Sequence, residues 1–104
     1  MTLPNTRLAY TTEYEHLERA KDSPRGIRLL MESRDAAHTY RSRLHYARRI
    51  DRDKNKEIFK EGDPLFGSSV YDNIVVRIKD DTESRWWVYL EKSDTTVEAV
   101  EDLP

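Results

Sequence analysis

The spacing of hydrophobic residues changes near residue 70 of this chain. Up to that point apolar residues recur every three or four positions, which is the period of an amphipathic helix. Beyond it they alternate one by one with polar residues, which is the period of a half-buried strand. The pattern therefore predicts an α+β fold in which two helices precede a pair of strands.

A short N-terminal helix is predicted from about residue 13 to residue 21. Thr12, followed three positions later by Glu15, matches a capping box, in which each side chain bonds a free backbone N–H group at the start of a helix. Tyr14, Leu17 and Ala20 lie at helical spacing. We expect this helix to pack on the core through that one face.

A long Arg-rich helix is predicted from about residue 24 to residue 52. Ser23 can cap backbone N–H groups, and Pro24 suits the first helical position because that position has no hydrogen bond to lose. At 3.6 residues per turn, apolar and small residues gather into one stripe that we expect to face the core. Its members are Leu29, Leu30, Ser33, Ala36, Ala37, Tyr40, Leu44 and Ala47.

A C-terminal antiparallel β-hairpin is predicted next, with the polar residues 80–84 as its turn. We expect it to pack on the long helix, because an isolated hairpin is only marginally stable. Its inward residues would be Ile74, Val76, Ile78, Trp86, Val88 and Leu90, and its outward residues Val75, Arg77, Lys79, Arg85, Trp87 and Tyr89. Only one of Trp86 and Trp87 can be fully buried, and the pattern does not distinguish them.

The chain length of 104 residues predicts a single domain. We assign residues 1–92 to it and residues 93–104 to a flexible acidic tail, because that segment carries no basic residue. The absence of cysteine excludes disulfides, thiol nucleophiles and cysteine-based zinc sites. No apolar run is long enough to cross a membrane and the N-terminus lacks a secretory signal, so we expect a cytoplasmic protein with no membrane partner.

Positive charge is concentrated in the middle of the chain. The net charge is −2, but residues 24–52 contain eight arginines against three acidic residues, a local net charge of +5. On the helical wheel, basic residues recur at alternating spacings of four and three beside the core stripe. This basic ridge consists of Arg34, His38, Arg41, His45, Arg48 and Arg52, with Arg49 close to it.

The basic ridge suits a polyanion. Each guanidinium group can bind phosphate oxygens in a bidentate fork, and the histidines would add charge below about pH 6.5. The alternative is a solvated flank whose cations pair with carboxylates of the same chain.

Patterns typical of enzymes are absent from the sequence. It contains no Walker phosphate loop, no Gly-x-Gly-x-x-Gly, no Gly-x-Ser-x-Gly and no His-Glu-x-x-His. His38 and His45 would lie about 10 Å apart along a helix, which is too far to share one metal ion. Acids at residues 51–53, with Asp63 and Asp72, have spacings that arise by chance and do not predict a magnesium site. We therefore expect no enzymatic activity, no cofactor and no metal.

The leading hypothesis is a non-enzymatic nucleic-acid-binding module for DNA or RNA. The basic ridge would hold the phosphate backbone, and the hairpin's outward residues would add stacking or groove contacts. Those hairpin residues are Arg77, Lys79 and Arg85, together with Trp87 and Tyr89. Binding would be weakly sequence-specific and strongly salt-sensitive.

Two alternatives remain open. One is a protein-interaction or regulatory module, such as a small accessory protein of a bacterium or phage, or a homodimer. Trp87 and Tyr89 would then form the interface, and the acidic tail would mask the basic ridge. The other, more remote, is a metal-independent ribonuclease-like toxin that uses His38, His45, Arg41 and Tyr46, although Tyr46 points away from the ridge on the wheel.

Overall fold

The computed structural model describes residues 9–93, which form two helices and a three-stranded sheet. In chain order the elements are α1 (Thr11–Asp22), β1 (Gly26–Met31), α2 (Arg34–Ile58), β2 (Ile74–Asp80) and β3 (Trp86–Lys92). The predicted α+β class is confirmed. The predicted acidic tail, apart from Ser93, lies outside the described residues.

The sheet is antiparallel with the order β1-β3-β2, so β3 is central and the other two strands are edges. β2 and β3 form the predicted hairpin, with Ile78 opposite Val88. β1 pairs with the other side of β3 and places Arg28 opposite Tyr89. The central strand therefore holds its side chains between neighbours on both sides.

Both helices pack on the same face of the sheet, and the core lies between these two layers. The largest fully buried side chains come from every layer: Leu17 from α1, Leu44 from α2, and Ile74, Val88 and Leu90 from the sheet. Tyr14 also joins the two helices, because its hydroxyl donates to the carbonyl oxygen of Ala47 at 2.7 Å. Neither helix covers the opposite face of the sheet.

The start predicted for the long helix is wrong, because Gly26–Met31 form a strand. Burial alternates along β1, so Leu29 packs against the core while Arg28 and Leu30 are exposed. A helical wheel places Leu29 and Leu30 on one stripe, whereas a strand sends them to opposite faces. The local sequence is compatible with a helix and with a strand. Pairing with β3, which is about sixty residues away in the chain, selects the strand.

The helix that follows begins and ends at residues other than those predicted. Ser33 is the N-cap of α2, and its Oγ accepts a hydrogen bond from the backbone N–H of Ala36 at 3.1 Å. Ala37, Leu44 and Ala47 are buried, which confirms this part of the predicted core stripe. α2 then continues beyond residue 52 to Ile58.

The boundaries of α1 also differ from the prediction. Its N-cap is Tyr10, which makes no side-chain capping bond, so the capping box predicted from Thr12 and Glu15 is wrong. Ser23 ends this helix instead of starting the next one, because its backbone N–H and its Oγ both donate to the carbonyl of Arg19. In residues 9–93, no helix has the length and apolar character needed to cross a membrane.

Gly26 provides a test of the β1–β3 pairing. It has a φ of +100°, and a Cβ at this position would overlap the carbonyl oxygen of Leu90. Gly62 has a similar φ of +96° but has open space around it. We expect Gly62→Ala to lower the free energy of unfolding by about 1–2 kcal/mol through backbone strain, and Gly26→Ala by about 3 kcal/mol or more, because it adds the clash. Urea denaturation of both variants measures the difference, and equal losses would contradict the observed register.

Candidate functional site

The predicted basic ridge divides into two groups in the structure. Arg34, His38, Arg41, His45 and Arg49 are exposed on α2. Within residues 9–93, no carboxylate lies at ion-pair distance from the guanidinium groups of the three arginines in this group. The other two ridge residues, Arg48 and Arg52, bind backbone carbonyls and a carboxylate of the same chain.

Arg48 is a structural residue, and the prediction that it lies exposed on the ridge is wrong. Its side chain is only 7% exposed. Its guanidinium group donates to the backbone carbonyls of Tyr71, at 3.3 Å, and of Ile74, at the start of β2. Burial, followed by the charge of Arg52, lowers its pKa, although a guanidinium group stays protonated. Arg48 therefore fastens α2 to the first residue of β2.

Arg52 fastens the loop that leads into β2. It forms an ion pair with Asp72 at 2.7 Å, and Asp72 also accepts the backbone N–H of Ser69. Nearby, Asp51 accepts a hydrogen bond from the Ser69 hydroxyl at 2.6 Å. Of the acids considered in the sequence for a magnesium ion, Asp51, Asp63 and Asp72 are used in loop contacts, and Asp53 pairs with Lys56 of its own helix. Residues 9–93 contain no group of three metal-ligating side chains.

His45 reports the electrostatic potential of the ridge. Its Nδ1 accepts a hydrogen bond from Arg48 at 3.0 Å. Burial lowers the pKa of His45, and the positive charges of Arg48, Arg41 and Arg52 lower it further. Burial and the nearby arginines therefore oppose protonation of His45, so its pKa lies below that of an ordinary histidine.

A groove of about 370 Å³ lies between α2 and the edge strand β2. It is lined by His38, Arg41, Val76, Arg77, Ile78 and Lys79, and we call it the cationic groove. Arg77 and Lys79 both contact Glu91, at 3.9 and 3.2 Å. Since one carboxylate serves two cations and Arg41 has no ion-pair partner in the described part of the chain, the groove carries an excess of positive charge.

The face of the sheet that neither α1 nor α2 covers carries cations and aromatic rings. This outer face consists of Arg28 and Leu30 of β1, Val75, Arg77 and Lys79 of β2, and Trp87, Tyr89 and Glu91 of β3. The hairpin orientation predicted from the sequence is confirmed. The open question about the tryptophans is also decided, because Trp86 packs against the core and strand alternation places Trp87 on the outer face.

Trp87 is held from three sides. The guanidinium carbon of Arg28 lies 4.0 Å from its ring centre, and that of Arg85 lies 5.4 Å away. Its indole N–H donates to Asp81 at 2.9 Å. This bond is the main reason that the pKa of Asp81 lies well below the ordinary aspartate value, and hydrogen bonds from Arg85 lower the pKa further. Asp81 is thus a stable anion that fixes the orientation of the indole ring.

Tyr89 connects the outer face with the cationic groove. Lys79, which lines the groove, lies 4.7 Å from the centre of the Tyr89 ring. Arg77, another groove residue, is directly opposite Tyr89 in the strand pairing. The Tyr89 hydroxyl accepts a long hydrogen bond of 3.4 Å from Arg28 on the other side. The two cationic surfaces therefore meet at Tyr89.

Two further arginines near the outer face differ from the prediction. Arg85 pairs with Asp81 at 2.8 Å and Glu83 at 3.3 Å in its own turn, so local acids offset its charge. Sequence reasoning missed Arg28, because it assigned this residue to a helix. The alternation of Ile27, Arg28 and Leu29 was the available signal.

The residues of the ribonuclease alternative do not all line one site. His38 and Arg41 both line the cationic groove, whereas His45 contacts Arg48 along the helix. Tyr46 packs against Tyr10, with ring centres 5.5 Å apart.

Comparison with known proteins gives no match. No protein-family model matches the chain, and searches of curated proteins and of solved structures find no similar protein.

Arg48 and its neighbour Arg49 test the division of the ridge. Arg48→Ala would remove the buried guanidinium bonds to the carbonyls of Ile74 and Tyr71, of which Tyr71 keeps the backbone N–H of Ile74 as a donor. We expect the free energy of unfolding to fall by about 2–4 kcal/mol. Arg49→Ala removes the same charge from an exposed position and should change it by no more than about 0.5 kcal/mol. Urea denaturation measures both values. A similar small loss for the two variants would show that Arg48 is not structural.

The pKa of His45 tests the positive potential around it. NMR titration should show a pKa below the ordinary histidine value, and Arg41→Gln should raise it by removing a positive neighbour. Arg49→Gln, which alters a charge that does not contribute to the shift, is the matched control. Because the unfolded chain binds this proton more readily than the folded protein does, His45 should lower stability as the pH falls through about 6.5. An unchanged pKa in Arg41→Gln would contradict the assignment.

Proposed function

We propose that the protein is a cytoplasmic, non-enzymatic nucleic-acid-binding module that holds phosphate groups in the cationic groove. The observation that carries the proposal is that Arg41 lines the same groove as Arg77 and Lys79 and has no ion-pair partner within residues 9–93. Like charges repel one another, so gathering them on one side of an acidic protein favours an anionic partner.

The surroundings of His45 support the same proposal. Burial lowers the pKa of this ring, and the positive charges of Arg48, Arg41 and Arg52 lower it further, so the carboxylates within residues 9–93 do not fully neutralise the local positive charge. A phosphate group bound near Arg41 would offset that charge. The pKa of His45 should therefore rise in the complex, which makes this ring a reporter of binding.

The chemistry of the groove favours recognition of the backbone over recognition of sequence. Guanidinium groups bind phosphate oxygens in bidentate pairs, and such contacts carry no base information. Arg34 and Arg49, which are exposed at either side of Arg41 on α2, extend the positive surface along the helix. Arg48 and Arg52 hold the fold and have no part in the proposed contacts.

A protein partner is the second candidate function, and the exposure of Leu30 favours it. This side chain is 55% exposed and lies opposite Trp87 on the outer face. An apolar residue beside an aromatic ring and an arginine resembles the composition of interface hot spots. If the purified protein sediments as a dimer, the result would favour this candidate.

Charge reversal in the groove tests the proposed function. We expect Arg41→Glu combined with Arg77→Glu to lower the affinity for a nucleic acid by about tenfold or more at low salt, because two phosphate contacts become repulsive. Lys54→Glu combined with Lys60→Glu changes the net charge equally at exposed positions outside the groove and is the matched control. Fluorescence anisotropy measures both affinities.

One control measurement and two possible binding results complete this test. Urea denaturation must show that both double variants remain folded at the assay temperature. If the two double variants lose the same affinity, binding follows net charge and the groove is not the site. If the unmodified protein binds no nucleic acid at low salt, the proposed function is wrong.

A further inference from the structure

We propose that the outer face gives this module a preference for single-stranded nucleic acid, with Trp87 and Tyr89 as a platform on which unpaired bases stack. This inference rests on the proposed function, because the cationic groove would hold the phosphates of the same strand. It adds the class of nucleic acid, which the groove alone does not specify.

The first argument is the shape of the platform. Trp87 and Tyr89 lie two residues apart on the central strand, so their side chains leave the same face about 7 Å apart. The side chains of β1 and β2 flank them on both sides, and neither helix covers them. Both rings are half-buried, and Arg28 and Lys79 lie over them, so a base of a flexible strand would stack on the exposed part of a ring or on the guanidinium plane of Arg28. In a duplex the base faces are already stacked on one another, so the rings have no base to contact.

The second argument is the preorganisation of Trp87. Its indole N–H bond to Asp81 fixes the ring, and Arg28 places a planar cation 4.0 Å from the ring centre. Arg28 has no carboxylate partner within residues 9–93. Guanidinium planes stack on bases as aromatic rings do, so Arg28 can extend the platform beyond Trp87 while adding a positive charge.

The third argument is the continuity between the platform and the groove. Lys79 lines the groove and also contacts the Tyr89 ring, and Arg77 lies opposite Tyr89 in the same sheet. A single strand that crosses the edge of β2 would therefore place a phosphate beside Lys79 and a base over Tyr89. Both parts of one nucleotide would find their contacts without a change in the fold.

Glu91 limits this surface in the free protein. It contacts both Arg77 and Lys79, so a phosphate group must compete with it for the same two cations. Removal of this carboxylate should therefore increase affinity. Glu91→Gln keeps the size of the side chain and one acceptor oxygen while it removes the negative charge.

The experiment compares single strands and duplexes of the same length. Oligo(dT), oligo(U) and a mixed-sequence duplex, each of about 16 nucleotides or base pairs, are titrated by fluorescence anisotropy at several salt concentrations. We expect either single strand to bind about tenfold or more tightly than the duplex, since each stacked base contributes separately. For four phosphate contacts, the slope of log affinity against log salt should be about −3.

Substitutions on the platform provide the second arm. Trp87→Val and Tyr89→Val keep a residue that favours a strand, and each should weaken single-strand binding by about 5-fold to 150-fold, while duplex binding changes by less than about twofold. Tyr46→Val removes an exposed aromatic ring from α2 and is the matched control. Glu91→Gln should tighten single-strand binding. Urea denaturation confirms that each variant is folded.

Intrinsic fluorescence provides a third readout that does not need a platform substitution. In Trp86→Phe, the remaining indole is that of Trp87 on the outer face. Its emission should be quenched by the single strands and unchanged by the duplex, because only a stacked base contacts the ring.

The outcomes separate the two proposals. If no nucleic acid binds at low salt, the proposed function fails and this inference fails with it. If the duplex binds as tightly as the single strands, or if Trp87→Val and Tyr89→Val bind like the unmodified protein, the stacking platform is wrong while the cationic groove stands. If these variants instead abolish a two-copy species in sedimentation, the outer face is a protein interface, and the inference is overturned.

Discussion

The position of the candidate site depends on one buried guanidinium group. Arg48 donates from the middle of α2 to the backbone carbonyls of Tyr71 and Ile74, and so fixes where β2 begins relative to the helix. The ion pair of Arg52 with Asp72 secures the preceding loop one turn further along. Because β2 is held in this way, Arg77 lines the same groove as Arg41. A structural arginine therefore sets the distance between the arginines available for binding.

The arginines of this chain have two roles that composition does not separate. Arg43, Arg48 and Arg52 are bonded to Glu13, to backbone carbonyls and to Asp72, and they join α1, α2 and the loop into one structure. By contrast, no carboxylate within residues 9–93 pairs with Arg34, Arg41 and Arg49 of α2 or with Arg28 of the outer face. The acidic net charge of the chain and its cationic groove are compatible, because Coulomb forces at a protein surface are screened within about 10 Å.

The groove and the outer face form one continuous surface because β2 is an edge strand. Within residues 9–93 no strand pairs with the outer edge of β2, so the groove reaches round this edge, and Lys79 both lines the groove and contacts the Tyr89 ring of the outer face. Two carboxylates limit this surface in different ways. Asp81 orients Trp87 and remains ionised, whereas Glu91 occupies two cations that a phosphate could take. The surface is thus ordered before any partner arrives.

The sequence alone determined the α+β class, the hairpin with its inward and outward residues, and the buried stripe of α2 from Ala37 to Ala47. These features follow from the spacing of neighbouring residues, which acts locally. Only the tertiary structure decided that Gly26–Met31 is a strand, since Leu29 and Leu30 fit both periods and β3 supplies the deciding partner. It also decided which arginines are exposed. The carbonyls that bind Arg48 lie 23 and 26 residues away in the chain, and no local sequence pattern shows that residues so far apart come into contact.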